Sequence, residues 1–243
     1  MDVRVCPSAG AAAADAAGRI ARRLRANPRL VLGLASGDTF VPVYARLAER
    51  HGAGELSFAR ASAFDLDEYL GLPVSDPRSC AHFIRANLLA RVDIDAANVA
   101  LLDGAARDPG AEAARFERLI AAKGGIDVLL LGIGRNGHIA FNEPGSAFAS
   151  RTHVVRLAAE TRAANARHFG TAADVPAEAI TMGTGTILEA REIVLLATGA
   201  AKAAAVRRAL SGPVSPDCPA SALRGHANAA FVLDRSAADA TAG

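Results

Sequence analysis

Lysine is nearly absent from this 243-residue chain: Lys123 and Lys202 are the only two, and arginine carries almost all of the positive charge. Net charge is small as well, +2 at pH 7 with 21% charged residues. The basic surplus that draws a chain to nucleic acid or an anionic membrane is therefore missing, as is the composition of a disordered chain. The expected partner is a small molecule, with no nucleic acid and no membrane. Cysteine is scarce too. Cys6, Cys80 and Cys218 are odd in number and far apart, with no CxxC or Cys/His cluster, so neither zinc nor a disulfide framework is indicated and a reduced, cytoplasmic protein is expected. No apolar run reaches the ~18 residues of a membrane span. The N-terminal stretch is interrupted by Asp15, Arg19, Arg22 and Arg23 and lacks the continuous apolar segment of a signal peptide. With no low-complexity linker and no fixed-period repeat, one domain is expected over residues 1–237, followed by a frayed tail at 238–243.

What the chain does have is 51% apolar residues arranged as alternating helical and strand patterns from end to end, the signature of an α/β fold. Residues 9–26 read as an alanine-rich helix stopped by Asn27-Pro28, and 29–34 as a buried strand ending in ASGDT. A helix is expected to start near Thr39. Residues 57–66 read as a strand that delivers Asp65, Asp67 and Glu68 into a loop, with a helix near 79–90 and a strand near 98–102 after it. Further helices are expected at 111–123 and 158–168, and a strand at 126–131. A last strand–helix–strand unit runs from 192–197 through a helix containing Lys202 to 230–233. Parallel strands deliver their following loops to one edge of the sheet, where open α/β folds bind ligands. Loops 35–39, 65–73 and 132–145 should meet there.

Each of these loops admits two readings. Ser36-Gly37-Asp38-Thr39, between a strand and a helix, could receive a phosphate on its backbone N–H groups and hydroxyls, or could be a helix cap formed by Asp38 or Thr39. Asp65, Asp67 and Glu68 could raise one another's pKa to the range of a general base, or could be a solvated turn. GIGRNGHIAFNEPG at 132–145 places His138, able to take and give a proton near neutral pH, among glycines that allow close backbone approach. Glu143 nearby could orient or charge that imidazole. Its glycine spacing mimics a dinucleotide fingerprint, but it sits in mid-chain and leads into IAFNEPG rather than a helix, so no nicotinamide cofactor is expected. MGTGT at 182–186 reads as a structural bend.

Taken together, LGLASGDT, FDLDEYLGLP, IDVLLLGIGRNGHIAFNEPG, SRT, TRAANARHF, ITMGTGTILEAREIVLLATGAAKAAAV and PASALRGHANAAFVLD resemble the glucosamine-6-phosphate deaminase family over about residues 30–237. The 6-phosphogluconolactonases are a related branch that lacks the NEPG continuation. The resemblance implies a Rossmann-like open, mostly parallel sheet with helices on both faces. It also implies conversion of glucosamine 6-phosphate and water to fructose 6-phosphate and ammonia, with no metal and no organic cofactor. By position, Asp67 matches the base that moves a proton between the first two sugar carbons, His138 the ring-opening catalyst and Glu143 its supporting acid. Phosphate binding carries over to Ser36, Gly37, Asp38, Thr39, Arg167 and Lys202. Three departures are visible. Asn136 stands where many members have aspartate, implying a less basic imidazole with Glu143 as its main charged partner. Asp38 and Phe40 replace a small residue and a proline. His153 and Val155 stand where members activated by N-acetylglucosamine 6-phosphate carry basic residues, so no such activation is expected. Rival readings are a galactosamine-6-phosphate deaminase or isomerase, a lactonase and a non-catalytic sugar-phosphate sensor. Such sensors normally carry a DNA-binding segment, for which a single alanine-rich helix before the first strand leaves no room. The oligomeric state stays open, a homo-oligomer included.

Overall fold

The runs Val31–Leu34, Val128–Leu131 and Glu192–Ala197 are buried along their whole length, as strands are when helices cover a parallel sheet. The structure is a computed structural model describing residues 1–239. The chain runs β1 (Asp2–Cys6), α1 (Ala9–Ala26), β2 (Val31–Leu34), α2 (Val41–Gly52), β3 (Ser62–Asp65), β4 (Asp67–Tyr69), α3 (Cys80–Asn87) and β5 (Val99–Ala100). It continues through α4 (Pro109–Ala122), β6 (Val128–Leu131), β7 (His153–Arg156), α5 (Ala159–Asn165), β8 (Glu178–Thr181) and α6 (Thr184–Leu188). The last elements are β9 (Glu192–Ala197), α7 (Ala203–Ser211), β10 (Ala229–Asp234) and α8 (Arg235–Ala238).

Seven strands form one parallel sheet in the order β1-β10-β9-β6-β2-β3-β5, which is the expected α/β architecture. From β2 the chain moves outward to β3, and from β6 it moves the opposite way to β9. The strand order therefore reverses between the adjacent β2 and β6, and the loops leaving their carboxyl ends part to open a crevice. Small side chains make the layers close: α1 lays Ala12, Ala13, Ala16, Ala17, Ile20, Ala21 and Leu24 onto the sheet, capped at its start by the Ser8 hydroxyl, which accepts from the Ala11 N–H at 3.2 Å. Its stop at Asn27 falls before Pro28, as the restriction on the residue preceding proline requires.

Several elements depart from the sequence expectation. A second, antiparallel sheet, β4-β8-β7, was not foreseen, and it takes Asp67 out of the loop and into a strand paired with Thr181. Strand β1 was missed because it is a half-exposed edge with little apolar pattern. Lys202 precedes α7, in a 3-10 turn at Ala200–Lys202, rather than lying inside the helix. The bend at 182–186 is largely the short helix α6. The expected frayed tail begins inside α8, where Asp234 accepts the Ala237 N–H at 2.8 Å and Ala238 is buried; residues 240–243 lie outside the described residues. No described helix is long and apolar enough to cross a membrane.

The loop after β4 is pinned by one close approach. A Cβ on Gly104 would stand 2.2 Å from the Tyr69 carbonyl oxygen and 2.8 Å from that of Leu72, both backbone atoms, and the Gly104 carbonyl accepts the Gly71 N–H at 2.7 Å. Gly104→Ala must push the strand bearing Asp67 out of place. The expected cost is about 2 kcal/mol or more, measured as a fall in denaturation midpoint, with a loss of activity beyond that of a surface glycine such as Gly52→Ala.

Candidate active site

Burying three carboxylates in four residues forces each to find a separate solution, because an ionised group removed from water is costly unless paired. Asp65, fully buried, accepts the Leu102 N–H with both oxygens at 3.1 Å and ties β3 to the segment after β5. Glu68, also fully buried, accepts the N–H groups of Tyr69, Cys80 and Ala81 at 2.8, 3.0 and 2.9 Å and so sits on the start of α3. Asp67 alone faces the crevice. Among the described residues no backbone N–H reaches its carboxylate, and its side-chain donor is the Cys80 thiol. Burial, with Glu68 adding repulsion against the thiol's opposing effect, pushes the Asp67 carboxyl up to about 7. The solvated-turn reading does not hold for this segment.

After β6 the chain turns through Gly134, whose carbonyl accepts the Gly137 N–H and whose own N–H donates to the His138 carbonyl, at 3.0 and 2.9 Å. The imidazole of His138 lies against Gly134 so closely that a Cβ there would come within 2.5 Å of three ring atoms. His138 Nδ1 is 3.5 Å from Glu143 Oε2 and 3.4 Å from the Thr161 hydroxyl. The other side of Glu143 accepts the Ala158 N–H at 3.1 Å. Burial alone would raise this carboxyl, but His138, Thr161 and Asn136 together outweigh it and hold Glu143 down at about 2. Asn142 donates to the carbonyls of Ile139 and Met182 and belongs to the turn rather than to the crevice.

At the other end, Ser36 to Thr39 enter a 3-10 turn, Asp38–Phe40, with no side-chain cap, so the capping alternative fails. Across from it Arg167, in a 3-10 turn after α5, pairs with Asp38 at 2.9 Å. The Lys202 ammonium donates to the Ile133 carbonyl at 2.7 Å, and burial, with the charges of Arg135 and Arg167, lowers its pKa. Three cations thus gather around this end. The crevice is a cavity of about 870 Å³ lined by Ser36, Gly37, Asp38, Thr39, Asp67, Asn136, His138, Arg167 and Lys202 among others. Glu143 is not on its wall; it stands behind His138.

Residues 7–232 match the family described as glucosamine-6-phosphate isomerases/6-phosphogluconolactonase. The chain belongs to this family. It is 51% identical to a glucosamine-6-phosphate deaminase of Pseudarthrobacter chlorophenolicus, over 95% of this chain and 88% of the relative. It is 49% identical to a glucosamine-6-phosphate deaminase of Rhodopirellula baltica, over 98% and 95%. A solved monomeric glucosamine-6-phosphate deaminase superposes with a TM-score of 0.97 at 42% identity, over 99% of this chain and 100% of that one. The 6-phosphogluconolactonase of Trypanosoma brucei superposes with a TM-score of 0.78 at 25% identity, over 98% and 97%.

Within this family frame the structure adds residues that the sequence reading passed over. Cys80 follows Ser79, correctly read as a helix start, and its thiol is what meets Asp67. Arg135 lies inside the quoted motif and lines the cavity. Tyr44 donates to the Ala35 carbonyl at 2.5 Å and fixes the start of the 36–39 loop. Spacing gave no signal for Thr161, which comes from a separate helix. The role expected of Asn136 also changes. Its Nδ2 donates to Glu143 at 2.7 Å and its Oδ1 accepts the His138 backbone N–H at 3.2 Å, so the amide holds the carboxylate and the turn, not the ring. An aspartate here would set two carboxylates 2.7 Å apart, a geometry in which one must keep a proton. Asn136→Asp is therefore expected to add a carboxyl that keeps its proton above the ordinary carboxylate range, read by carboxyl-carbon NMR titration; a pair fully ionised by about pH 5 would contradict this placement.

Proposed function

We propose that this chain is a glucosamine-6-phosphate deaminase, releasing ammonia from D-glucosamine 6-phosphate to give D-fructose 6-phosphate. The observation that carries the reading is the arrangement of the crevice: a buried, nearly unpartnered carboxylate at Asp67, a histidine backed by Glu143, and a cluster of cations at a helix-leading loop, all on one cavity. Deaminase relatives at about half identity over nearly the whole chain support it.

The phosphate is anchored by Ser36 to Thr39, Arg167 and Lys202, whose charge-assisted bonds fix the sugar and hold its first two carbons against Asp67. His138 moves the proton that opens the pyranose: the ring C–O bond breaks, the anomeric hydroxyl loses its proton, and the ring oxygen gains one. Glu143, anionic because its partners hold it so, keeps the imidazole oriented. The aldehyde now acidifies the neighbouring C–H. Asp67 takes that proton while the substrate ammonium gives one of its own to the aldehyde oxygen, making an enol amine, and Asp67 then returns its proton to the terminal carbon, which leaves the nitrogen-bearing carbon as an iminium. Water adds there and ammonia departs, leaving the ketone. A carboxyl with a pKa near the working pH suits a group that must both take and return a proton.

The three cysteines are buried free thiols, in keeping with a reducing, cytoplasmic setting. Saturation with substrate is expected to be hyperbolic and insensitive to N-acetylglucosamine 6-phosphate.

Ammonia release from glucosamine 6-phosphate and galactosamine 6-phosphate, assayed side by side with 6-phosphogluconolactone hydrolysis, tests the assignment. Glucosamine 6-phosphate should be turned over fastest; dominant lactone hydrolysis would replace the reading. Because the base must be deprotonated, the rate should rise with pH up to about 7 and level above it. Asp67→Asn should lower kcat roughly 10²–10⁴-fold while leaving sugar-phosphate binding largely intact. The same substitution carries a stability signature. The raised folded-state pKa means that the contribution of this group is full below about pH 4 and is lost as pH rises through about 7. Asp67→Asn should therefore raise the Tm more at pH 8 than at pH 5, and an equal effect at both would place the carboxylate in contact with water.

A further inference from the structure

Asp38 is an acid in a place that has to receive an anion. Its carboxylate reaches across the cavity mouth to the Arg167 guanidinium, Oδ2 to Nη2 at 2.9 Å, and joins the loop after β2 to the turn after α5. The remaining Arg167 donor in use, Nε, goes to His168 Nε2 at 3.1 Å. Apart from the Arg162 guanidinium, which donates to the carbonyls of Val175 and Ala173 at 3.2 Å each, the stretch from Ala159 to His168 has little other hold on the body of the protein. Thr161 is its one buried residue, and Phe169, just beyond it, meets Tyr69 edge to face with ring centroids 5.1 Å apart. The Arg167–Asp38 pair fastens the exposed part between those two anchors. Both side chains are more than half exposed, 63% and 53%, so the pair is screened by water and weak enough to exchange.

We propose that Asp38 is a counterion displaced by substrate: in the free protein it holds Arg167, and the phosphate of the incoming sugar must take its place. The proposal rests on the phosphate-binding assignment made above. Its consequence is selectivity for charge. A singly charged anion offers Arg167 nothing that Asp38 does not already supply, whereas a phosphate monoester dianion presents twice the charge and oxygens in several directions, and it can engage Arg167 and Lys202 together. Phosphorylated sugars are thereby favoured over uncharged sugars and sugar acids, at the expense of affinity, because the released Asp38 carboxylate stays on the wall of the cavity near the bound dianion. Arg135, whose charge already acts on Lys202, adds a cation on the same wall.

Asp38→Asn keeps the shape of the side chain and removes its charge. Calorimetric titration of the full-length protein with inorganic phosphate at pH 8 and low ionic strength should show the variant binding about 3- to 10-fold more tightly than wild type. Hydrogen exchange in the absence of ligand should show amides of residues 163–168 opening faster in the variant, with phosphate restoring protection. Unchanged or weaker phosphate binding, or unchanged exchange in that stretch, overturns the proposal. The outcome separates from the functional reading: ammonia release with no gain in phosphate affinity removes the displaced counterion and leaves the deaminase, while a gain in affinity without ammonia release does the reverse.

Discussion

The burial of an ionisable carboxylate at Asp67 is the constraint around which the site is built. Asp65 and Glu68, one strand-end away on either side, carry the same liability and are relieved of it by backbone N–H groups, from Leu102 in one case and from the start of α3 in the other. Among the described residues Asp67 receives only a thiol. A carboxyl group left in that condition is reluctant to ionise, and a group near neutrality in its pKa is what reversible proton transfer at carbon requires. The stability lost at Asp67 is recovered elsewhere, in an apolar sheet core running from β1 to β5.

The second half of the crevice follows the opposite logic. Glu143 is buried too, yet its neighbours hold it as an anion, and from behind the cavity wall it contacts His138 without touching the space where substrate would lie. Two carboxyl groups of one crevice region are thus driven in opposite directions, Asp67 up and Glu143 down. The topology brings them together: β3 and β4 deliver Asp67, β6 delivers Asn136 and His138, and the strand-order reversal between β2 and β6 opens the gap between them. The cations on the same cavity come from the loops after β6 and β9 and the turn after α5.

The parallel sheet was legible because its central strands are unbroken apolar runs, and α1 was read to the residue from its alanine face and the Asn27-Pro28 stop. The small antiparallel sheet was not. Strand β7 alternates half-buried and exposed residues over only four positions, and β4 is three residues long with two carboxylates, a composition that belongs to a turn unless tertiary packing overrides it. In the site, residues close in sequence were readable as a group: Asn136, His138 and Glu143 stand together as their spacing promised. What could not be read was the division of labour among Asp65, Asp67 and Glu68, which depends on N–H groups 12 to 37 residues away. The same holds for contacts made by Thr161, Cys80 and Arg135, each set by a loop whose path the periodicity does not encode. Asn136 is the instructive case, since only the geometry shows its amide spent on Glu143 rather than on the imidazole.

The chemistry of the crevice depends on the ionisation of one side chain. A carboxyl-carbon NMR titration of the ligand-free protein, with the Asp67 resonance assigned by its loss in Asp67→Asn, reads that ionisation without reference to turnover. A midpoint at about 7 is what a buried carboxylate supported only by the Cys80 thiol should give. A midpoint near the ordinary aspartate value, about 4, would mean that water or an unrecognised donor reaches Asp67, and the assignment of this residue as the proton-transferring base would have to be abandoned.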